Sequence, residues 1–224
     1  MTSARSLLAI ENLLDRHPDL RACFDEIVLA VDLLAEGVRS GGKLLVCGNG
    51  GSSAEAAHLV GDLMKSFCRP RPLGQAARQR LRETGARGQR IGDAIELGIP
   101  ALSLSADSVL MTAIGNDIGY EMVYAQQVHA LAKPNDTLIV VTTSGRSANV
   151  INAAHVAKAL HIPVVALTGR DPGELSNLVD VAIRAPADTV DTIQDLHAPI
   201  CHGLAHALEA EFFGDRSTEA DIVG

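Results

Sequence analysis

The sequence predicts an α/β protein built on a doubly wound, largely parallel sheet flanked by helices. Short apolar segments of strand length recur along the chain, and segments with helical spacing of apolar residues lie between them. Strands that are apolar on both faces are typical of parallel sheets covered by helices on both sides. The chain has 224 residues, of which 47% are hydrophobic, so it can bury the core that this architecture needs. Its length favours a single domain, residues 1–224.

Two amphipathic helices are predicted at the N-terminus, over about residues 4–40. Apolar residues recur at intervals of three and four over 4–16 and again over 20–40. Pro18 separates the two patterns, because proline fits the first turn of a helix but not its interior. We therefore expect two N-terminal helices ahead of the first strand.

Five apolar segments are predicted to be strands. Each is short and apolar at most positions, which indicates burial on both faces of a sheet. The predicted strands are residues 43–47, 100–105, 137–143, 163–168 and 181–185. Helical patterns lie between them, and this alternation indicates a doubly wound sheet.

Residues 69–99 depart from this alternation and form a predicted arginine-rich insertion. Pro70 and Pro72 favour an extended start to the segment. Its arginines are predicted to form a basic patch in an otherwise acidic chain: Arg69, Arg71, Arg78, Arg80, Arg82, Arg87 and Arg90. We interpret the segment as a solvated arm or an oligomer contact. A lid over a binding site is the less favoured alternative, and no second domain is predicted.

The overall charge argues against nucleic-acid and membrane partners. The chain carries 19 Lys and Arg against 27 Asp and Glu, a formal net charge of −8, so its surface should repel polyanions. An aromatic content of 3% leaves little material for stacking on nucleic-acid bases. No segment has the uncharged apolar length of a membrane span, and the start lacks a signal-peptide pattern, so a cytoplasmic location is expected.

The cysteines predict neither a metal ribbon nor a disulfide framework. They are widely spaced and form no CxxC motif. The four residues are Cys23, Cys47, Cys68 and Cys201. We expect reduced and mostly buried thiols.

Two polar loops are predicted to bind one phosphate group. GNGGSS, at 48–53, follows the first predicted strand, and TTSGRS, at 142–147, follows the third. Loops at the carboxyl ends of parallel strands present backbone N–H groups and helix N-termini, which favour anions. Neither a Walker A lysine nor a GxGxxG pattern is present, so sugar-phosphate binding is favoured over nucleotide binding. The alternative is that the glycines only make tight turns.

Two helical segments carry residues able to do proton chemistry. His58 and Asp62 are four residues apart after GNGGSS, so they project from one helix face. Near the C-terminus, Gln194 and His202 share a face of a long predicted helix, with Asp191 one turn earlier. A solvated surface pair is the alternative for the first segment. Hydrogen-bonded core histidines are the favoured interpretation of two others, His197 and His206.

Several motifs, taken in order, resemble one family. They are CGNGGSSAEAAH at 47–58, GND at 115–117, TTSGRSANV at 142–150, ALTGRDPGEL at 166–175 and IQDLHAPICH at 193–202. Together they resemble the sugar isomerase (SIS) domain family and, within it, the phosphoheptose isomerases. The resemblance spans nearly the whole chain. It implies a flavodoxin-like, three-layer SIS-type sandwich and conversion of sedoheptulose 7-phosphate to D-glycero-D-manno-heptose 7-phosphate in a cytoplasmic homotetramer.

The resemblance also implies roles for individual residues. The implied substrate-binding residues are Asn49, Gly50, Ser52, Asp117, Thr142, Thr143, Ser144, Ser147, Asp191 and Gln194. One zinc ion per subunit is implied at His58, Asp62, Gln194 and His202. Asp62 would act as the base that moves a proton between C1 and C2 through an enediol, and His202 as the acid and base at the oxygens.

Two departures from the family leave alternatives open. The best-known members have glutamate where this chain has Asp62, which withdraws the carboxylate by one methylene group. The segment 69–99 is longer than the corresponding link in those enzymes. The alternatives are a non-catalytic SIS-domain regulator of the replication-initiator-associating type and an isomerase of another sugar phosphate.

Overall fold

A computed structural model describes residues 1–214 and contains one five-stranded parallel sheet. The strands are β1 (Leu44–Gly48), β2 (Ala101–Ser103), β3 (Thr137–Val141), β4 (Val164–Thr168) and β5 (Val181–Arg184). Their order across the sheet is β2-β1-β3-β4-β5, and each neighbouring pair is parallel. This order is that of a flavodoxin-like doubly wound sheet, so the predicted fold class is confirmed.

The described residues contain nine α-helices, seven of which cover the sheet. The nine helices are α1 (Ala4–Arg16), α2 (Phe24–Arg39), α3 (Gly51–Met64), α4 (Gln75–Arg82), α5 (Ala86–Ala94), α6 (Ser108–Asp117), α7 (Val123–Leu131), α8 (Ala148–Ala159) and α9 (Val190–Phe213). One core joins α1, α2, α3 and α9 to a face of the sheet, and a second core joins α6, α7 and α8 to the other face. Alternate side chains of β1, β3 and β4 enter opposite cores, which gives the three-layer arrangement.

The predicted elements exist, with shifted boundaries. The second predicted strand shortens to Ala101–Ser103 at the sheet edge, where a short strand offers few unpaired backbone groups to other chains. The third strand ends at Val141, so Thr142 and Thr143 belong to the following loop. A 3₁₀ segment, Pro18–Cys23, separates the two N-terminal helices. No helix of residues 1–214 is long and apolar enough to cross a membrane.

The insertion forms a helical hairpin, α4 and α5, on a short antiparallel stem. Pro72 and Glu96 form the stem bridge, and Leu97 donates its backbone N–H to the Arg71 carbonyl at 2.6 Å. The helices meet closely because α5 places glycine at the contact. A methyl group on Gly88 would lie 2.0 Å from the Leu81 carbonyl oxygen.

Arg71 does not belong to the predicted basic patch, and for this residue the prediction is wrong. Its side chain is fully buried, because its guanidinium pairs with the equally buried Glu209 carboxylate at 2.9 Å. The same guanidinium donates to the Leu63 carbonyl at 2.7 Å and to the Asp62 carbonyl at 3.3 Å. Arg71 therefore ties the end of α3 to α9.

Candidate active site

Helices α3 and α9 lie side by side and carry the candidate catalytic residues along their shared face. Each follows a parallel strand, so the two helices run in the same direction away from the carboxyl edge of the sheet. At the loop end, the Gln194 amide lies over Gly51, where an added methyl group would be 2.6 Å from Gln194 Nε2. Glycine at this position lets the two helices approach.

Further along the same face, three predicted residues meet. His202 Nε2 lies 3.4 Å from His58 Nε2, and His58 Nε2 lies 3.7 Å from Asp62 Oδ2. One ligand atom from each of the three residues falls within 4.8 Å of the others. The i, i+4 spacing of His58 and Asp62 therefore places both side chains beside α9, although the His58 side chain stays 48% exposed.

The electrostatics of this triad favour a positive charge at its centre. The Asp62 side chain is only 11% exposed, and its Oδ2 atom accepts no hydrogen bond from residues 1–214. A buried carboxylate oxygen without a partner is costly, so a proton or a cation is expected beside it. The facing Nε2 atoms of His58 and His202 also need one proton, or a cation, between them.

Two residues that the sequence analysis did not identify support the triad. Phe67 stacks on His202 with ring centroids 5.6 Å apart and lies 4.8 Å from the His206 ring. Glu55 Oε2 lies 3.9 Å from His58 Nδ1 and has no hydrogen-bond partner among residues 1–214. The i, i+3 spacing of Glu55 and His58 was a readable signal for the second contact. Phe67 gave no comparable signal, since it comes from the segment after α3.

The two predicted phosphate loops begin side by side. Gly48, the last residue of β1, pairs in register with Val141, the last residue of β3. Gly145, in the second loop, adopts φ 62° and packs so closely that a methyl group would lie 1.8 Å from the Pro172 carbonyl oxygen. The loops therefore share one edge of the sheet and open beside the N-termini of α3 and α8.

Hydroxyl groups and flexible backbone are present at this edge as predicted. Ser52 lies buried in the first turn of α3, and Gly50 precedes it with φ 55°. Ser147 stands at the N-cap position of α8 but makes no capping hydrogen bond, so its hydroxyl is available to a ligand. Ser144 Oγ accepts from the Arg146 backbone N–H at 3.3 Å. Thr142 is buried at the end of β3, with Thr143 next to it.

Asn49 is held by a partner that the sequence analysis missed. Its amide and that of Asn149 exchange hydrogen bonds of 2.8 and 2.9 Å. Tyr120 also donates its hydroxyl to Asn49 Oδ1 at 3.4 Å. Asn149 lies in the predicted TTSGRSANV motif, so this pair joins the two loops directly. Asn49 therefore fixes the loop geometry through its side chain.

The two predicted acidic contacts lie away from the triad. Asp117 is exposed at the end of α6, with Oδ1 accepting from the Asn116 amide at 2.8 Å. Asp191 is exposed at the start of α9, where hydrogen bonds from the Thr189 hydroxyl and the Thr192 backbone hold its pKa below the usual value. Asp191 lies in the first turn of α9, and neither Asp117 nor Asp191 contacts His58 or His202.

The two remaining histidines differ in environment. His197 is fully buried, and its Nε2 lies 3.1 Å from the Thr168 carbonyl oxygen. Burial lowers the pKa of His197, as expected for a neutral core histidine, and the prediction for it is confirmed. His206 is only partly buried and lines a surface cavity, so the core interpretation is wrong for this residue.

Comparison with known proteins identifies the family. Residues 10–91 and 82–169 match the family model described as the SIS domain. The phosphoheptose isomerase of Geotalea daltonii is 38% identical over 85% of this chain and 86% of its own length. The phosphoheptose isomerase of Helicobacter pylori is 38% identical over 82% of each chain.

Solved structures agree with the sequence comparisons. The phosphoheptose isomerase of Neisseria gonorrhoeae superposes with a TM-score of 0.70 at 28% identity, covering 92% of this chain and 94% of that one. The phosphoheptose isomerase of Francisella tularensis superposes with a TM-score of 0.68 at 33% identity, covering 82% and 85%. The chain therefore belongs to the SIS domain family and, within it, to the phosphoheptose isomerases.

Proposed function

We propose that this enzyme converts sedoheptulose 7-phosphate to D-glycero-D-manno-heptose 7-phosphate through an enediol. The observation that carries the proposal is the Asp62 carboxylate, which is nearly buried, has one oxygen without a hydrogen-bond partner and faces two histidines. Two relatives 38% identical to this chain are phosphoheptose isomerases. Both lines of support point to sugar-phosphate isomerisation.

The spacing between loops and triad suits a substrate with a phosphate at one end. At about 1.5 Å per residue, His58 lies roughly 10 Å along α3 from Gly51. That separation is comparable with the length of a sugar phosphate from its reacting carbons to its phosphorus. We propose that the phosphate binds at the two loops, with hydroxyls from Ser52, Thr142, Thr143, Ser144 and Ser147. The reacting carbons then lie against the triad.

We assign the proton transfers to two residues. Asp62 removes a proton from C1 of the ketose and returns it to C2 of the enediol, a task for which a poorly solvated carboxylate is suited. His202 moves a proton between the oxygens on C1 and C2, since imidazole gives and takes protons near neutral pH. Phe67, stacked on His202, holds the imidazole in place and limits water on one side.

Hydrogen–deuterium exchange at the reacting carbons tests this mechanism. Purified protein is incubated with sedoheptulose 7-phosphate in D2O and the products are followed by NMR. We expect a new aldose phosphate that carries deuterium at C2, together with exchange of a C1 proton in the remaining ketose. Fructose 6-phosphate and ribulose 5-phosphate run in parallel test the alternative substrates. If no ketose exchanges a proton, the enzyme proposal is wrong and a regulatory SIS-domain role takes its place.

We propose that His58, Asp62, Gln194 and His202 hold one zinc ion per subunit. Two imidazole nitrogens on one tetrahedral zinc lie about 3.3 Å apart, and the facing Nε2 atoms here are 3.4 Å apart. The partnerless Oδ2 of Asp62 supplies a carboxylate oxygen beside them. Zinc in such a position supplies Lewis acidity toward the substrate oxygens. The Gln194 amide lies over Gly51, about 10 Å along α3 from His58, so Gln194 has to extend along α9 toward the histidines to join the set.

Metal content tests this assignment independently of turnover. We expect about one zinc per chain by elemental analysis in the wild-type protein, and a clear loss in His58→Ala, because removing a ligand typically costs metal affinity. His155→Ala, a histidine on α8, is the matched control and should keep its zinc. Equal zinc content in the wild type and both variants would show that His58 is not a zinc ligand. The homotetramer and the cytoplasmic location stay proposals, the first to be tested by mass photometry.

A further inference from the structure

A basic cavity lies beyond the triad, at the opposite end of α3 from the phosphate loops. It has a volume of about 660 Å³ and lies between α1 and the segment that follows α3. Arg5, Arg16, Arg69, Asn12, His206 and Cys68 contribute to its wall. This volume is within the usual range for small-molecule sites. Three arginines around one cavity are unexpected in a chain with a net charge of −8.

Two of these arginines, Arg16 and Arg69, are not neutralised by a carboxylate among residues 1–214. Arg16 donates Nε to the Asn12 carbonyl at 3.2 Å, which leaves the outer edge of its guanidinium to face a ligand. Nearby Arg21, by contrast, pairs with both Glu11 and Asp15. Unpaired guanidinium groups in a concave site are a favourable setting for a multiply charged anion.

His206 and Cys68 form the inner wall. Cys68 Sγ lies 3.7 Å from His206 Nε2, and the Phe67 ring lies between His206 and His202. Burial, followed by the charge of Arg16, lowers the pKa of His206, while the Glu209 and Asp62 carboxylates act in the opposite direction. The wall of the cavity thus carries three arginines, and Phe67 connects it to the candidate general acid.

We propose that this cavity binds a small phosphorylated anion, of the size of a sugar phosphate or a diphosphate, at a site separate from the substrate phosphate loops. Arg16 and Arg69 would form ion pairs with the phosphate oxygens. Asn12 and His206 would form hydrogen bonds to the anion beside them. The anion binds about one helical turn from His202, so it is placed to alter isomerisation by shifting Phe67. The ligand class follows from the charge and size of the cavity and does not depend on the reaction at the triad.

Cys68 provides a local test of binding, because it is exposed while Cys23, Cys47 and Cys201 are buried. The rate of Cys68 alkylation by iodoacetamide, an uncharged reagent, is measured by mass spectrometry with increasing pyrophosphate. Sodium chloride at matched ionic strength controls for screening. We expect saturable protection in the wild-type protein, reaching about tenfold when nine cavities in ten are filled, since only the empty fraction reacts.

Two variants that remove arginine charges inside and outside the cavity separate it from the general surface. Protection should be lost in Arg16→Gln/Arg69→Gln and retained in Arg21→Gln, which removes a cation from the same surface outside the cavity. The double variant should keep the wild-type KM for the sugar phosphate in the absence of pyrophosphate. Equal protection in all three proteins, or none in the wild type, would overturn the proposal. A double variant with a greatly raised substrate KM would show that the cavity belongs to the substrate site and would overturn it as well.

Discussion

Asp62→Asn is expected to reduce kcat for isomerisation by about three orders of magnitude while the protein stays folded. Asparagine preserves the shape of the side chain but cannot accept the C1 proton. Because Oδ2 of Asp62 is buried without a hydrogen-bond partner, removing its charge should leave the melting temperature unchanged or raise it. The measurement is kcat with sedoheptulose 7-phosphate, with circular dichroism to monitor the fold.

His202→Ala is expected to produce a similar loss, since the proton between the two oxygens then has no carrier at that position. Asp15→Asn, an exposed surface carboxylate, is the matched control and should retain wild-type kcat. If either Asp62→Asn or His202→Ala keeps kcat within a few-fold of wild type, that residue does not transfer a proton in the reaction. Loss of the C1 exchange in D2O, measured on the same variants, separates proton abstraction from the later steps.

Asp62→Glu tests how closely the carboxylate must be placed. Glutamate carries the same carboxylate on a longer side chain, and one added methylene moves the oxygens outward. Proton transfer is sensitive to displacements of this size. Because Arg71 donates to the Asp62 backbone carbonyl, the helix end that carries the carboxylate is held in place. We expect measurable but altered kcat with unchanged zinc content.

The fold was predictable because the buried strands of the sheet have a recognisable apolar pattern in the sequence. Strands buried on both faces appear as apolar runs, and β1, β3 and β4 are buried at every position. The edge strand β2 is only partly buried, and its predicted ends were the least accurate. The pairing of His58 with Asp62 was readable from helical spacing, since both lie on one element.

Contacts between distant elements were not readable from spacing. Nothing in the local sequence brings Asn149 to Asn49, or Phe67 to His202, because those contacts depend on how the sheet edge and α9 are arranged in space. Arg71 is the clearest case. In an arginine-rich segment it was predicted to be solvated, yet the fold places it opposite Glu209, some 138 residues away.

The second large expected effect is the loss of stability when the buried Arg71–Glu209 pair is broken. Arg71 and Glu209 are both fully buried, and Glu209 also accepts from the backbone N–H groups of Phe67 and Cys68. Arg71→Met leaves the Glu209 carboxylate buried without its cation, so we expect a loss of about 3–5 kcal/mol in the free energy of unfolding. Arg80→Met, on the exposed hairpin, is the control and should change it by about 0.5 kcal/mol or less. Urea unfolding measures both.

A double-mutant cycle distinguishes pairing from simple packing. If the cost of Arg71→Met comes from the stranded charge, then adding Glu209→Gln should recover part of the lost stability, and the two single losses should exceed the double loss. Additive losses would mean that the pair contributes only through packing. Arg71 also binds the carbonyls of Asp62 and Leu63, where α3 ends. Arg71→Met should therefore lower kcat more than it raises KM, because it displaces the carboxylate that we assign as base and leaves the phosphate loops in place.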